Sequence, residues 1–196
     1  MYEYIKGPIT SLTPATAVIE AAGVGYLLNI SLQSYADLSG KQEALLWVHY
    51  HVTMQDAPLF YGFFSKEERE LFRLLISVSG IGANSARLML SSYTASDLAT
   101  AIATGNVSAL TSVKGIGTKT AERVIVDLKG KVLGSSGAGA ASAGAGGASS
   151  QMEEAVSALM VLGFTRAATE KVVRSIYGRD ASISSEELIR EALTKL

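Results

Sequence analysis

The chain has no cysteine, so disulfides and thiolate metal sites are excluded, and a reducing compartment fits. Histidine is nearly absent, with only His49 and His51 in the sequence. No stretch is apolar for long enough to cross a bilayer. The opening residues, Met1-Tyr-Glu-Tyr-Ile-Lys-Gly-Pro8, show no basic cluster followed by an apolar run, so no signal peptide is expected. A soluble cytoplasmic protein is the expectation, with no membrane role. A strong overall charge is also missing, since the net value is −1. That balance is an average of unlike segments. Residues 1–64 carry −3, residues 65–132 carry +3 and residues 133–196 carry −1. The basic character of a nucleic-acid binder is therefore confined to the middle of the chain.

What is present divides the chain into four parts. Residues 1–64 read as about five short strands with few helices. Thr16–Glu20 and Tyr26–Ser31 flank a turn signal at Gly23-Val24-Gly25. In 46–54, Leu46, Val48, Tyr50, Val52 and Met54 alternate with Trp47, His49, His51 and Thr53, a strand with one buried face. Leu59–Phe64 begins the next strand after the break at Gln55-Asp56-Ala57-Pro58. A small barrel follows from this pattern, of the OB or the SH3-like type. Residues 65–132 switch to helical periodicity, with capping boxes at Ser65-x-x-Glu68 and Thr94-x-x-Asp97 and a stop at Gly105. Gly134 to Ser150 is built only from Gly, Ala and Ser. Such a segment buries too little to offset its ordering entropy, so residues 133–150 are expected to form a flexible tether with a root-mean-square span of roughly 20–25 Å. Residues 151–196 read as three short helices: Glu153–Leu162 ended by Gly163, a second from Thr165 through Ile176, and a third capped by Ser184-x-x-Glu187. The apolar stripe Val156, Leu159, Met160, Leu162 and Phe164 is read mainly as the core of this small bundle, with Phe164 available for docking.

The functional signal is an internal repeat at an offset of 35 residues. Val78-Ser-Gly80-Ile81-Gly82-Ala-Asn84-Ser85-Ala86 aligns with Val113-Lys-Gly115-Ile116-Gly117-Thr118-Lys119-Thr120-Ala121. Helical runs precede and follow each copy, which is the helix-hairpin-helix pattern. The glycines are expected to permit positive φ and to leave no side chain between the backbone and an approaching phosphate. Free N–H groups at the start of the following helix complete an anion site. The isoleucine anchors the turn inward, while Ser85, Thr120 and Lys119 add phosphate contacts. A single Gly-x-Gly is often only a helix stop and tight turn, but two copies in register within the basic segment point to the DNA backbone. A Rossmann fingerprint is excluded because helices precede both turns and the third glycine is missing. Gly117-Thr-Lys119-Thr120 lacks the glycine spacing of a Walker loop. His49 and His51 are read as an exposed strand face, since no third metal ligand accompanies them. No nucleophile, base and orienting group converge, so neither a catalytic centre nor a cofactor or metal is expected.

Together the barrel with Gly23-Val24-Gly25-Tyr26, the run Tyr61-Gly62-Phe63, the two turns, Thr120-Ala121-Glu122-Arg123, the tether and the three-helix end resemble the RuvA family. Its members are Holliday-junction-binding subunits of the bacterial branch-migration complex. The resemblance implies a multidomain α+β chain: an OB-like barrel, an all-α tandem helix-hairpin-helix domain, a tether and a bundle resembling ubiquitin-associated domains. It implies a tetramer whose four-fold symmetry matches an open four-way junction in recombination and repair. The turns, with Arg123 beyond the second, would hold arm phosphates in the minor grooves. Leu159, Leu162 and Phe164 occupy positions matching the surface that docks the hexameric ATPase RuvB, and the junction nuclease RuvC is a further implied partner. Two departures stand out. Family members commonly carry two acidic residues on a central junction pin where this chain has Gln55 and Asp56, and lysine where it has Asn84 and Thr118. The first weakens repulsion of phosphates at the pin, and the second removes phosphate contacts and flattens the salt dependence of binding.

Overall fold

Strand-forming alternation in the first part of the chain closes into a barrel. The computed structural model describes residues 2–52, 57–135, 148–179 and 183–196. The strands are β1 (Tyr4–Leu12), β2 (Thr16–Ala21), β3 (Val24–Asn29), β4 (Glu43–His51) and β5 (Leu59–Phe63), in the closed order β1-β2-β3-β5-β4. β3 and β5 pair in parallel and the other neighbours are antiparallel. The helix α1 (Leu32–Leu38) lies between β3 and β4 in the chain, the arrangement of an OB-type barrel. Alternate residues Ile5, Ala17, Ile19, Leu28, Ile30, Leu46 and Val48 fill the interior. Gly62 is glycine for a packing reason, since a Cβ there would stand 2.9 Å from Leu28 Cδ2 and 3.2 Å from Leu46 Cδ1.

Two strand expectations need correction. The turn between β2 and β3 is Ala22-Gly23, both at positive φ, and Val24 and Gly25 already belong to β3, opposite Ala21 and Glu20. The two-residue turn matches the twist of the flanking strands, which the longer glycine signal obscured. In β4 the inward face is buried only through Val48, because Tyr50 and Val52 rise past the barrel and are exposed. The opposite face is not the exposed surface expected for the histidines. His49 is half-buried, with its ring 5.3 Å from Phe72.

The helices of the central segment are α2 (Lys66–Ile76), α3 (Ala83–Ser92), α4 (Ala95–Thr104), α5 (Val107–Thr111) and α6 (Thr118–Ser135). Their apolar faces form one core with Phe72, Leu75, Met89, Leu90, Leu98, Ile102, Leu110, Val124 and Leu128. Tyr61 and Phe63 of β5 belong to this core, with Phe72 4.8 Å from Phe63 and 5.1 Å from Tyr61. Barrel and helices therefore share apolar packing across residues 64 and 65, and residues 1–140 form one compact unit. Phe72→Ala would open a cavity against both parts and cost about 3–5 kcal/mol.

The helix caps follow local rules with one exception. Ser65, Thr94 and Asn106 accept from the N–H groups of Glu68, Asp97 and Ala109, and Gly105 ends α4 at φ 74°. Thr94 and Asp97 also bond through their side chains. At Ser65 the expected reciprocal box does not close. The Glu68 carboxylate instead accepts from the hydroxyls of Ser31 and Ser34 at the start of α1. Burial raises the Glu68 pKa, and these two hydrogen bonds oppose the shift.

The second unit contains α7 (Ala148–Val161), α8 (Arg166–Tyr177) and α9 (Ser185–Leu193). They enclose Ala155, Leu159, Val173, Ile176, Leu188 and Ala192. The first residues of the Gly/Ala/Ser segment continue α6 and its last three begin α7, while the rest of the expected tether lies outside the described residues. Among the described residues no helix is long and apolar enough to cross a membrane.

Candidate nucleic-acid interface

The two turns of the repeat have the same construction. Ile81 N–H donates to Val78 O at 3.0 Å, and Ile116 N–H donates to Val113 O at 3.1 Å. Ala86 N–H reaches Gly82 O at 3.0 Å, and Ala121 N–H reaches Gly117 O at 2.9 Å. The paired residues Val78 and Val113, Ile81 and Ile116, and Ala86 and Ala121 are all buried. Gly80 and Gly115 have φ of 94° and 88°, a region that strains other residues by about 1–2 kcal/mol.

The second glycine of each pair does not share this need, which corrects the expectation of positive φ at both. Gly82 sits at φ −85° and Gly117 is not among the positive-φ glycines. A Cβ at Gly82 or Gly117 would meet nothing within 4 Å. What these glycines keep clear is the space in front of the turn. There Gly82 caps α3 without a side-chain hydrogen bond, so the first amides of that helix remain available to an outside acceptor. A helix N-terminus also carries partial positive charge, so the fitting acceptor is an anion.

The expected DNA-contacting residues fall into three groups. Gly80, Gly82, Asn84, Gly115, Gly117, Thr118 and Lys119 are exposed at the turns, with Ser85 and Thr120 half-buried beside them. Ile81 and Ile116 are buried, so their side chains shape the turns from within. Arg123 is exposed, yet its Nη1 donates to Ser79 O at 3.3 Å. This arginine on the second helix of one motif straps the turn of the other. Gln55 and Asp56 lie outside the described residues.

The first motif is fastened to the barrel at several points that the sequence did not reveal. Beyond the Glu68 contacts, Arg69 is buried over the Trp47 ring at 5.0 Å and donates to Glu3 O and Glu3 Oε1 at 2.9 and 2.7 Å. This pairing holds the Glu3 carboxyl below its ordinary pKa. Arg87 of α3 donates through Nη1 to Ala15 O and Ile30 O at 3.2 and 3.3 Å, and Ser91 Oγ accepts from Leu32 N–H at 3.1 Å. These bonds join residues far apart in the chain, so no local pattern announces them. The second turn has no hydrogen bond to the barrel among the described residues. Its α6 packs chiefly on α4, with α5 and α2 alongside.

In the C-terminal unit Leu159 is fully buried, which corrects its expected place on a partner surface. Phe164 is half-buried against the same core. Its N–H bonds to Leu159 O and the Gly163 N–H to Met160 O, a Schellman ending with Gly163 at φ 100°. The end of α7 leaves a contiguous apolar run open, Met160, Val161 and Leu162, exposed by 42%, 87% and 59%, and Leu193 and Leu196 are exposed as well. No cluster of three or more His, Cys, Asp or Glu suited to a metal occurs among the described residues.

Comparisons with known proteins agree with this architecture part by part. Residues 1–62 match the RuvA N terminal domain, residues 72–130 the SAM-like Helix-hairpin-helix tandem, and residues 150–196 the RuvA, C-terminal domain. A Porphyromonas gingivalis protein named Holliday junction branch migration complex subunit RuvA is 48% identical over 203 residues, covering all of both chains. Proteins of the same name from Bacteroides thetaiotaomicron and Flavobacterium psychrophilum are 48% and 43% identical, again over the full length of both chains. With a barrel, paired turns and a terminal bundle matched along its whole length, this chain belongs to the RuvA family.

Proposed function

We propose that this chain binds four-way DNA junctions and brings an ATP-driven motor to them, with no catalytic centre of its own. The observation that carries the reading is the pair of equivalent Gly-Ile-Gly turns on one compact unit, each open in front and joined by the Arg123 strap. Two such sites suit two phosphates of one duplex arm. Contact with backbone rather than base edges makes the binding sequence-tolerant. The relatives' name, a subunit of the Holliday junction branch migration complex, supports the four-way junction as the ligand, and the family resemblance points to RuvB as the motor.

Four copies around a four-fold axis would present one pair of turns to each arm, and a second tetramer could close over the other face as an octamer. Gln55 and Asp56 would form the pin at the crossover. RuvC would act on the same complex in recombination and repair, in the cytoplasm. The exposed run Met160–Leu162 is the docking surface proposed for RuvB, with Leu162 as its central contact and Phe164 supporting it from the bundle core.

The test is a salt-titrated gel shift of the full chain on a four-way junction and on linear duplex of the same sequence, without ATP or metal. Discrete complexes on the junction at much lower protein concentration are expected. Equal affinity for both substrates would remove the junction reading and leave a general duplex-binding module. ATP hydrolysis by the purified chain would overturn its non-catalytic role.

A further inference from the structure

We infer that the barrel completes the first anion site: a DNA backbone phosphate held at the N-terminus of α3 is also gripped by His51 and Tyr61. His51 thereby adds a side-chain donor to a turn whose own residues, Ser79–Ala86, include no Lys or Arg. This inference rests on the proposed reading of the turns as phosphate sites.

A cleft of about 200 Å³ lies between the end of β4, the start of β5 and the first turn of α3. His51, Leu59 and Tyr61 line one wall, and Gly82, Asn84 and Ser85 line the other. The α3 wall presents uncapped amides. On the barrel wall, Tyr61 is only 2% exposed, yet its hydroxyl has no hydrogen-bond partner among the described residues. The hydroxyl is not among the buried atoms cut off from a partner, so it is accessible and can donate to an acceptor held in the cleft. The His51 ring stands edge-on to Tyr61 at 6.0 Å between centroids. A phosphodiester supplies anionic acceptors to both walls at once.

Charge explains why the barrel is needed. From Ser79 to Ala86 the first turn has no Lys or Arg, and the next cation, Arg87, is committed to barrel carbonyls. The second turn carries Lys114 and Lys119. Because α2 and α3 are both fastened to the barrel, the two walls of the cleft keep a fixed spacing and a phosphate meets a preformed site.

Among the described residues, the rings beside His51 are His49 on its own strand and Tyr61 on β5, and Asn84 and Ser85 line the same cleft from α3.

The experiment measures junction affinity of the full chain for the wild type, His51→Phe, His51→Lys and Tyr61→Phe at one pH and one salt concentration. His51→Phe keeps an aromatic ring beside Tyr61 but loses the ring donor to the phosphate, so it should bind about tenfold more weakly. His51→Lys restores a donor and should bind at least as tightly as the wild type. Tyr61→Phe removes only the hydroxyl, so it should fold normally and weaken binding about threefold to tenfold. Should His51→Phe fail to fold, His51→Lys and Tyr61→Phe decide the matter. Wild-type affinity in both phenylalanine variants would overturn the inference. If Gly82→Val abolishes binding in that same case, the phosphate reading of the turn still stands. If Gly82→Val with Gly117→Val also leaves binding intact, both readings fall together.

Discussion

At the first Gly-Ile-Gly turn Arg69 and Arg87 of its own motif face inward, and the exposed Arg123 beside it is lent by the second motif. Arg69 and Arg87 are occupied by the barrel, and what faces the cleft is Asn84 with two side chains borrowed from β4 and β5. At the second turn the barrel is distant, and Lys114 and Lys119 stand exposed. The backbones agree within a few degrees and a tenth of an ångström at the equivalent torsions and hydrogen bonds. Duplication of a motif therefore reproduced the geometry that makes a turn but not its electrostatics. A backbone turn depends on a handful of local residues, whereas the field in front of it depends on whatever packs nearby. The first turn is hydrogen-bonded to the barrel and has no Lys or Arg of its own, and the second is held by helix packing and carries two lysines.

The largest expected effect comes from closing both turns. Gly82→Val with Gly117→Val adds side chains whose Cβ atoms meet nothing within 4 Å, so circular dichroism should remain native. Junction affinity should fall by about 100-fold or more as two phosphate sites per subunit are blocked. The comparison of the turns then predicts a charge asymmetry. Lys119→Ala should weaken binding about tenfold and lower the slope of log affinity against log salt by about 0.9 for each phosphate left without its cation, while Asn84→Lys should raise both. A salt titration showing no change of slope for Lys119→Ala would place that lysine away from phosphate.

Smaller effects test how the two turns are held. Arg123→Ala releases the strap to Ser79 and should reduce affinity by about threefold without changing thermal stability, since an exposed hydrogen bond contributes little to folding. Equal weakening on linear duplex and on the junction would show that the strap spaces the two phosphate sites along a single arm. His49 reports on the seam between barrel and α2. Its folded pKa of about 4 lies below the ordinary 6.5, so the protein resists protonation there. Stability from this group is complete above pH 6.5 and is lost as the pH falls towards 4. Half-exposure reduces the effect to about 1 kcal/mol. Urea unfolding at pH 7 and pH 5 should show that decrease in the wild type but not in His49→Phe. An unchanged pH response in the variant would move the effect to other groups.

Much of the fold could be read locally. Period-two runs predicted strands, Ser65, Thr94 and Ser184 cap helices as their spacing required, and Gly105 and Gly163 end helices in the left-handed region. The repeat located the candidate DNA site because its glycines, isoleucines and following alanines recur at a fixed offset. Local pattern misled where distant segments competed for the same group. Glu68 left its capping box because the hydroxyls of Ser31 and Ser34 satisfy its buried carboxylate more completely. His49 was covered by Phe72, and Leu159 was taken into the bundle core while Met160–Leu162 remained outside.

The amino-acid pattern alone thus determined the strands and helices, the duplicated turns and the family. These rest on torsional preference and hydrophobic period, which act over a few residues. Tertiary structure decided that barrel and first motif share one core, that Arg87 is turned inward, and that His51 and Tyr61 stand beside the first turn. Those outcomes depend on which partners a folded chain brings within hydrogen-bonding reach, and spacing along the sequence does not encode that.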